Sequence, residues 1–147
     1  MEYTARRVEF GRASLEELIF YYATKPVELT DPMILIRVNR FYRHGMSAEE
    51  LHDATRGRWK IGPRRSHAQF ALAVFEGVVR EAYQIDAWHP AGTTSDNSPV
   101  HRGPLKPDRW EFTGRVAPDK VRSRYRGGSV ARYFRKGLQN PIVYVNC

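Results

Sequence analysis

The apolar residues of this chain come in short runs cut by glycine and proline, none close to the roughly 20 consecutive positions a membrane-spanning helix needs. That pattern favours a sheet of short strands over long helices. Met33 to Val38 predicts a strand buried on both faces, entered through Asp31-Pro32. Ala68 to Phe75 and Val78 to Trp88 predict two more, joined at Glu76-Gly77, although alanine and leucine keep helix as a competitor over residues 66–75. In the second of these, Val79, Tyr83, Ile85 and Ala87 share one parity while Arg80, Gln84 and Asp86 share the other, as in a half-buried strand. Trp110, Phe112, Gly114 and Val116 alternate again, and Ile142 to Val145 supplies a closing strand.

Helices are marked by their ends. Ser14-Leu15-Glu16-Glu17 and Ser47-Ala48-Glu49-Glu50 are capping boxes, in which a serine hydroxyl and a glutamate carboxylate each take a free amide. The first predicts a helix to about Ala23, and the second a helix that Gly57 ends. Pro118-Asp119 opens a short helix, and Ser129 to Lys136 reads as a basic helix stopped by Gly137. Residues 56–65 carry a short strand around Trp59 and Ile61 before Gly62-Pro63 turns the chain. Residues 89–108, rich in proline, predict a long surface loop of the kind that is usually functional or disordered.

The expected architecture is one α+β domain over residues 1–147. It would have a small, strongly bent mixed sheet or partly closed β-barrel, with three to four short helices and the 89–108 loop on its surface. At 147 residues, two separate cores would each sit near the lower limit for unassisted folding. The N-terminal residues lack the apolar segment of a secretory signal, so the cytoplasm is the expected compartment. Cys147 is the only cysteine, which excludes an intrachain disulfide and any cysteine-rich zinc site. The five histidines lack metal-ligand spacing, and neither a metal nor a cofactor is expected.

Charge points to a partner. There are 24 Lys+Arg against 16 Asp+Glu, a net +8. The excess falls entirely in residues 101–147, which hold 11 basic and three acidic side chains. Arginine outnumbers lysine 19 to five, and the planar arginine fork suits phosphates and guanine edges. Two segments concentrate this chemistry. Residues 56–65 hold Arg56, Arg58, Lys60, Arg64 and Arg65 with no acid, and Trp59 among them offers a ring face to a base unless it belongs to the core. Residues 120–136 hold Arg122, Arg124, Arg126, Arg132, Arg135 and Lys136. There Gly127-Gly128-Ser129 would present free amides to a phosphate at the start of the expected helix, with the Ser129 side chain beside them. Trp88 is a second aromatic candidate for a base.

The passage from Trp59-Lys60-Ile61-Gly62-Pro63-Arg64-Arg65 into Phe70 to Tyr83 resembles the PUA-like group of small barrels, in particular its EVE and ASCH branches. A strand ending in a Trp-x-x-Gly turn, an apolar strand, a tight turn and a strand leading out carry the likeness. The resemblance implies a concave pocket on the barrel that accepts a nucleotide, often with a modified base, and basic rim residues on the phosphates. No catalytic residue carries over.

Three functions are thus expected of such a chain. The first is a DNA- or RNA-binding module that uses both arginine-rich segments and an aromatic such as Trp59 or Trp88. The second is an enzyme acting on RNA, DNA or a nucleotide at the same basic surface, with histidines or a carboxylate for acid–base work. The third is an interaction module for an acidic protein. The sequence holds no Walker loop, no GxSxG and no HExxH.

Overall fold

A computed structural model describes residues 24–94 and 104–147. The described residues hold six strands, in the order of the chain: β1 (Met33–Arg37), β2 (Gly57–Trp59), β3 (Phe70–Phe75), β4 (Val78–Pro90), β5 (Trp110–Val116) and β6 (Ile142–Val145). Helix α1 (Ala48–Arg56) lies between β1 and β2, and α2 (Asp119–Tyr125) between β5 and β6. The strands form one sheet in the order β2-β5-β4-β3-β1-β6. Only β1 and β3 run parallel; every other neighbouring pair is antiparallel. The sheet curls strongly into a half-barrel with β2 and β6 as its two edges.

Both faces of the centre are covered, and the strand sequences follow from that. Met33, Ile34, Leu35 and Ile36 are each completely buried. Met33 and Leu35 join Leu72 and Val74 under Val121 and Tyr125 of α2. Ile34 and Ile36 join Ala71, Ala73, Tyr83 and Phe112 on the other face, against which Leu51 of α1 packs. The expected alternation in β4 fails for the same reason: Val78 and Val79 are both buried, as are Glu81, Ala82 and Tyr83. A register shift between Ala73 and Val74, where the β4 partners jump from Glu81 to Val79, lets successive residues turn inward.

Local signals set the connections. Ser47 Oγ accepts the Glu50 amide at 3.0 Å and Glu50 Oε1 accepts the Ser47 amide at 2.9 Å, so the second capping box forms as expected. Glu76 and Gly77 both take positive φ (51° and 75°), the two-residue hairpin geometry whose twist matches the flanking strands. Gly57 is required by a close approach, because a Cβ there would sit 2.7 Å from the Cβ of Glu111.

Several expectations need correcting. The described residues hold two α-helices and two short 3-10 turns (Pro63–His67 and Ala131–Tyr133) in place of three to four helices, and the barrel does not close. The basic helix expected over Ser129 to Lys136 is reduced to one of those turns. Its first residues are held by other segments, since Ser129 donates to the Lys25 carbonyl at 2.9 Å and Val130 to that of Gly77 at 2.7 Å. Residues 66–75 are strand only from Phe70. The loop begins later than expected, because β4 continues to Pro90, paired with Trp110. The helix expected from Ser14 lies outside the described residues.

Candidate nucleic-acid interface

The open side of the half-barrel is treated differently at its two ends. At one end, the chain leaving β2 meets β6: the Gly62 amide donates to Tyr144 Oη at 3.1 Å. The Arg64 guanidinium lies 4.3 Å from the Tyr144 ring centroid and donates to the Cys147 carbonyl. At the other end the edges stay apart and leave a groove of about 620 Å³.

Its two walls come from the two ends of the sheet. β2 and the residue after it supply Arg58, Trp59 and Lys60, and the residue before β5 supplies Arg109. The end of β1 and the approach to β6 supply Arg37, Asn39, Arg40 and Phe41, then Gln139, Asn140 and Pro141. Among the described residues, five cationic side chains therefore line this concavity, with no carboxylate and no histidine. The β1–β6 wall is fixed by backbone and side chain together. Arg37 donates through its amide to the Pro141 carbonyl at 2.8 Å, and through Nη2 to the carbonyls of Leu138 (2.6 Å) and Asn140 (3.2 Å). Its guanidinium also sits 5.1 Å from the Phe134 ring. Trp59 is mostly core: its Nε1 donates to the Thr55 carbonyl at 2.7 Å, and only its rim reaches the groove.

The remaining sequence candidates are dispersed. Arg56, the last residue of α1, turns inward, donates to the Phe112 carbonyl at 3.1 Å and pairs with buried Glu111 at 3.7 Å. Arg65 lies 3.6 Å from the Trp110 ring centroid and is not in the groove lining. Trp88 packs edge-on against Phe112 with its Nε1 enclosed and without a partner.

In the C-terminal segment, Arg122 grips both oxygens of Glu81 at 2.8 and 2.9 Å. Arg124 reaches Asp31 at 2.9 Å, and Arg126 lies 3.9 Å from Glu81. Arg132 donates weakly to the Val27 carbonyl and to Tyr133 Oη. Arg135 and Lys136 are exposed beyond the 3-10 turn. The expected amide cradle is absent: the amides of Gly127, Gly128 and Ser129 donate to the carbonyls of Val79, Tyr125 and Lys25.

The linear distribution of charge is therefore redrawn by folding. Arg122, Arg124 and Arg115 from the basic tail meet Glu81, Asp31 and Asp86 from the neutral part of the chain. Four of the five cations around the groove belong to that neutral part. Sequence reading passed over Arg37, Arg40 and Arg109, along with the carboxamides of Asn39, Gln139 and Asn140. The signal available was the stretch from Arg37 to Arg43, which carries three arginines and two aromatics without an acid.

Two titratable groups near this core are perturbed. Burial, then the Arg56 charge, hold the His52 imidazole below its ordinary value, and the ring stacks on Tyr83 at 4.8 Å. Burial alone would raise Glu111, but hydrogen bonds from Thr94 and the Gly92 amide, with Arg56 nearby, bring it below the ordinary carboxylate value. Among the described residues no group of three or more His, Cys, Asp or Glu side chains could hold a metal ion. None of the described helices is long and apolar enough to cross a membrane. Compared with protein-family models, curated proteins and solved structures, the chain matches none.

Proposed function

We propose that this chain is a nucleic-acid-binding module whose phosphate-binding surface is the groove between the β2 and β6 edges. The observation that carries the reading is the charge of that groove: among the described residues, Arg37, Arg40, Arg58, Lys60 and Arg109 line it with no acidic residue, and Phe41 and the rim of Trp59 lie among them. Cations set around a concavity suit a polyanion, and aromatic surface beside them suits a base. The resemblance of residues 59–83 to PUA-like barrels points the same way, toward a nucleotide seated in a concavity with cations at its rim. Arg56, Arg122 and Arg124 serve the fold.

The test is a salt titration of binding to short single- and double-stranded DNA and RNA, with an acidic peptide as control and the strands recovered afterwards. The expected result is affinity that falls steeply with salt and strands that stay intact. Each phosphate contact should contribute about 0.7 to the log–log slope for single strands and about 0.9 for duplex DNA. Cut strands would assign an enzyme to the same surface. Equal affinity for the acidic peptide would favour a protein partner, and no binding at low salt would remove the proposal.

A further inference from the structure

We infer that the groove takes a single strand and discriminates among its bases through the carboxamide wall formed by Asn39, Gln139 and Asn140. The inference rests on the nucleic-acid reading above and adds what part of the strand is recognised, and by which residues.

The two walls carry different chemistry. The β2–β5 side offers Arg58, Lys60 and Arg109, side chains that serve phosphates regardless of sequence. The β1–β6 side carries Arg37 and Arg40 as well, but it alone adds three carboxamides, each able to donate and accept. Phosphate oxygens need donors only. A base edge presents donors and acceptors in a fixed pattern, which is what a carboxamide complements. Phe41 and the rim of Trp59 lie in the same lining, so the groove that holds the cations and the amides also offers aromatic surface to a base.

One member of the carboxamide wall is also preset. Asn140 Oδ1 accepts the Ile142 amide at 3.0 Å. Because a backbone N–H can only donate, that contact fixes which end of the Asn140 side chain is oxygen, and its NH₂ group remains for a ligand. Arg37 holds the same segment by the Leu138 and Asn140 carbonyls, which makes it a positioning residue for the wall. Asn39 and Gln139 are exposed beside it.

Size and shape select the strand. A volume of about 620 Å³ is that of a small-ligand pocket, in the general range of about 300–1,000 Å³. Such a concavity admits a few groups of an unpaired strand, whereas a duplex presents a broad convex surface with its base edges recessed in grooves.

The experiment measures binding by the full chain to oligonucleotides of equal length made of A, C or T alone, to an abasic strand and to a duplex. It is repeated for Asn39→Ala/Gln139→Ala and for Lys60→Ala, after unfolding curves show each variant folded. Expected are tighter binding of single strands than duplex and about 5- to 100-fold preference among bases, the range of one good bidentate contact. The carboxamide variant should flatten that preference with the salt slope unchanged, and Lys60→Ala should weaken every sequence alike and lower the slope. Equal affinity for all bases and the abasic strand overturns the inference, as does a carboxamide variant that keeps the preference, or a duplex bound more tightly. Those outcomes leave the phosphate reading standing; absence of salt-dependent binding to any strand removes both.

Discussion

Arg56 and Glu111 meet at 3.7 Å inside the protein, their side chains only 7% and 1% exposed. Glu111 also accepts the amides of Gly92 and Thr94, each at 2.9 Å, and the Thr94 hydroxyl, so a single carboxylate ties α1 to the first residues beyond β4. Removing one member of an enclosed pair strands the other charge, which costs about 3–5 kcal/mol. Arg56→Ala and Glu111→Ala are each expected to lose that much in urea unfolding. The folded fraction of Arg56→Ala should bind nucleic acid as the parent does, since Arg56 does not line the groove. A normal unfolding curve with a lowered salt slope would instead place Arg56 on the ligand.

The same neighbourhood sets two pH windows. His52 has a folded-state value below its ordinary 6.5, so the unfolded chain binds its proton first as pH falls. The stability it supports is present above 6.5 and lost as pH drops from there through the folded value. Glu111 has a folded-state value below 4.5, and its contribution is present above 4.5 and lost below it. Unfolding free energy measured against pH should therefore fall in two stages. His52→Phe should remove the upper stage, and Glu111→Gln should flatten the lower one at reduced stability.

Substitutions in the C-terminal segment and in the groove should separate cleanly. Arg122 makes a forked contact with Glu81, which lysine cannot reproduce with its single ammonium. Arg122→Lys and Arg124→Ala are expected to lower the unfolding midpoint and leave the salt slope of binding unchanged. Lys60→Ala and Arg109→Ala should do the reverse, each lowering the single-strand slope by about 0.7 for a lost phosphate contact. Anisotropy titrations at several salt concentrations decide it, and a reduced slope for Arg122→Lys would return the C-terminal segment to the interface.

Those contrasts explain what the sequence disclosed. Ser47 with Glu50, and Glu76 with Gly77, act within a few residues, so their capping box and hairpin were legible. Met33 to Ile36 were legible as a doubly covered strand because nothing polar interrupts them. Arg56 and Arg58 look alike in the chain, yet the first ends a helix facing Phe112 and the second lies in β2 at the groove. Only tertiary contact separates them. The amides of residues 127–129 looked free because their acceptors, Val79 and Lys25 among them, lie far away in sequence. The groove itself joins residues 37–41, 58–60, 109 and 139–141, which no spacing rule connects.

Gly57 links that assembly to the fold and gives a direct test of it. Its φ of −175° suits any residue, so conformational freedom is not what the position requires. What it requires is space: a Cβ would stand 2.7 Å from Glu111 Cβ and 3.3 Å from its Cα. Backbone cannot yield as a flexible side-chain tip would, so Gly57→Ala must push β2 away from β5. Overpacking of this kind costs about 1–3 kcal/mol. The displacement would carry Arg58 and Lys60 away from Arg109 across the same strand pair, opening the cationic wall. Gly57→Ala is therefore expected to weaken nucleic-acid binding under conditions where unfolding curves show the protein folded, although glycine itself offers the ligand no side chain. Unchanged affinity in a folded Gly57→Ala protein would show that the spacing of β2 and β5 does not set the groove.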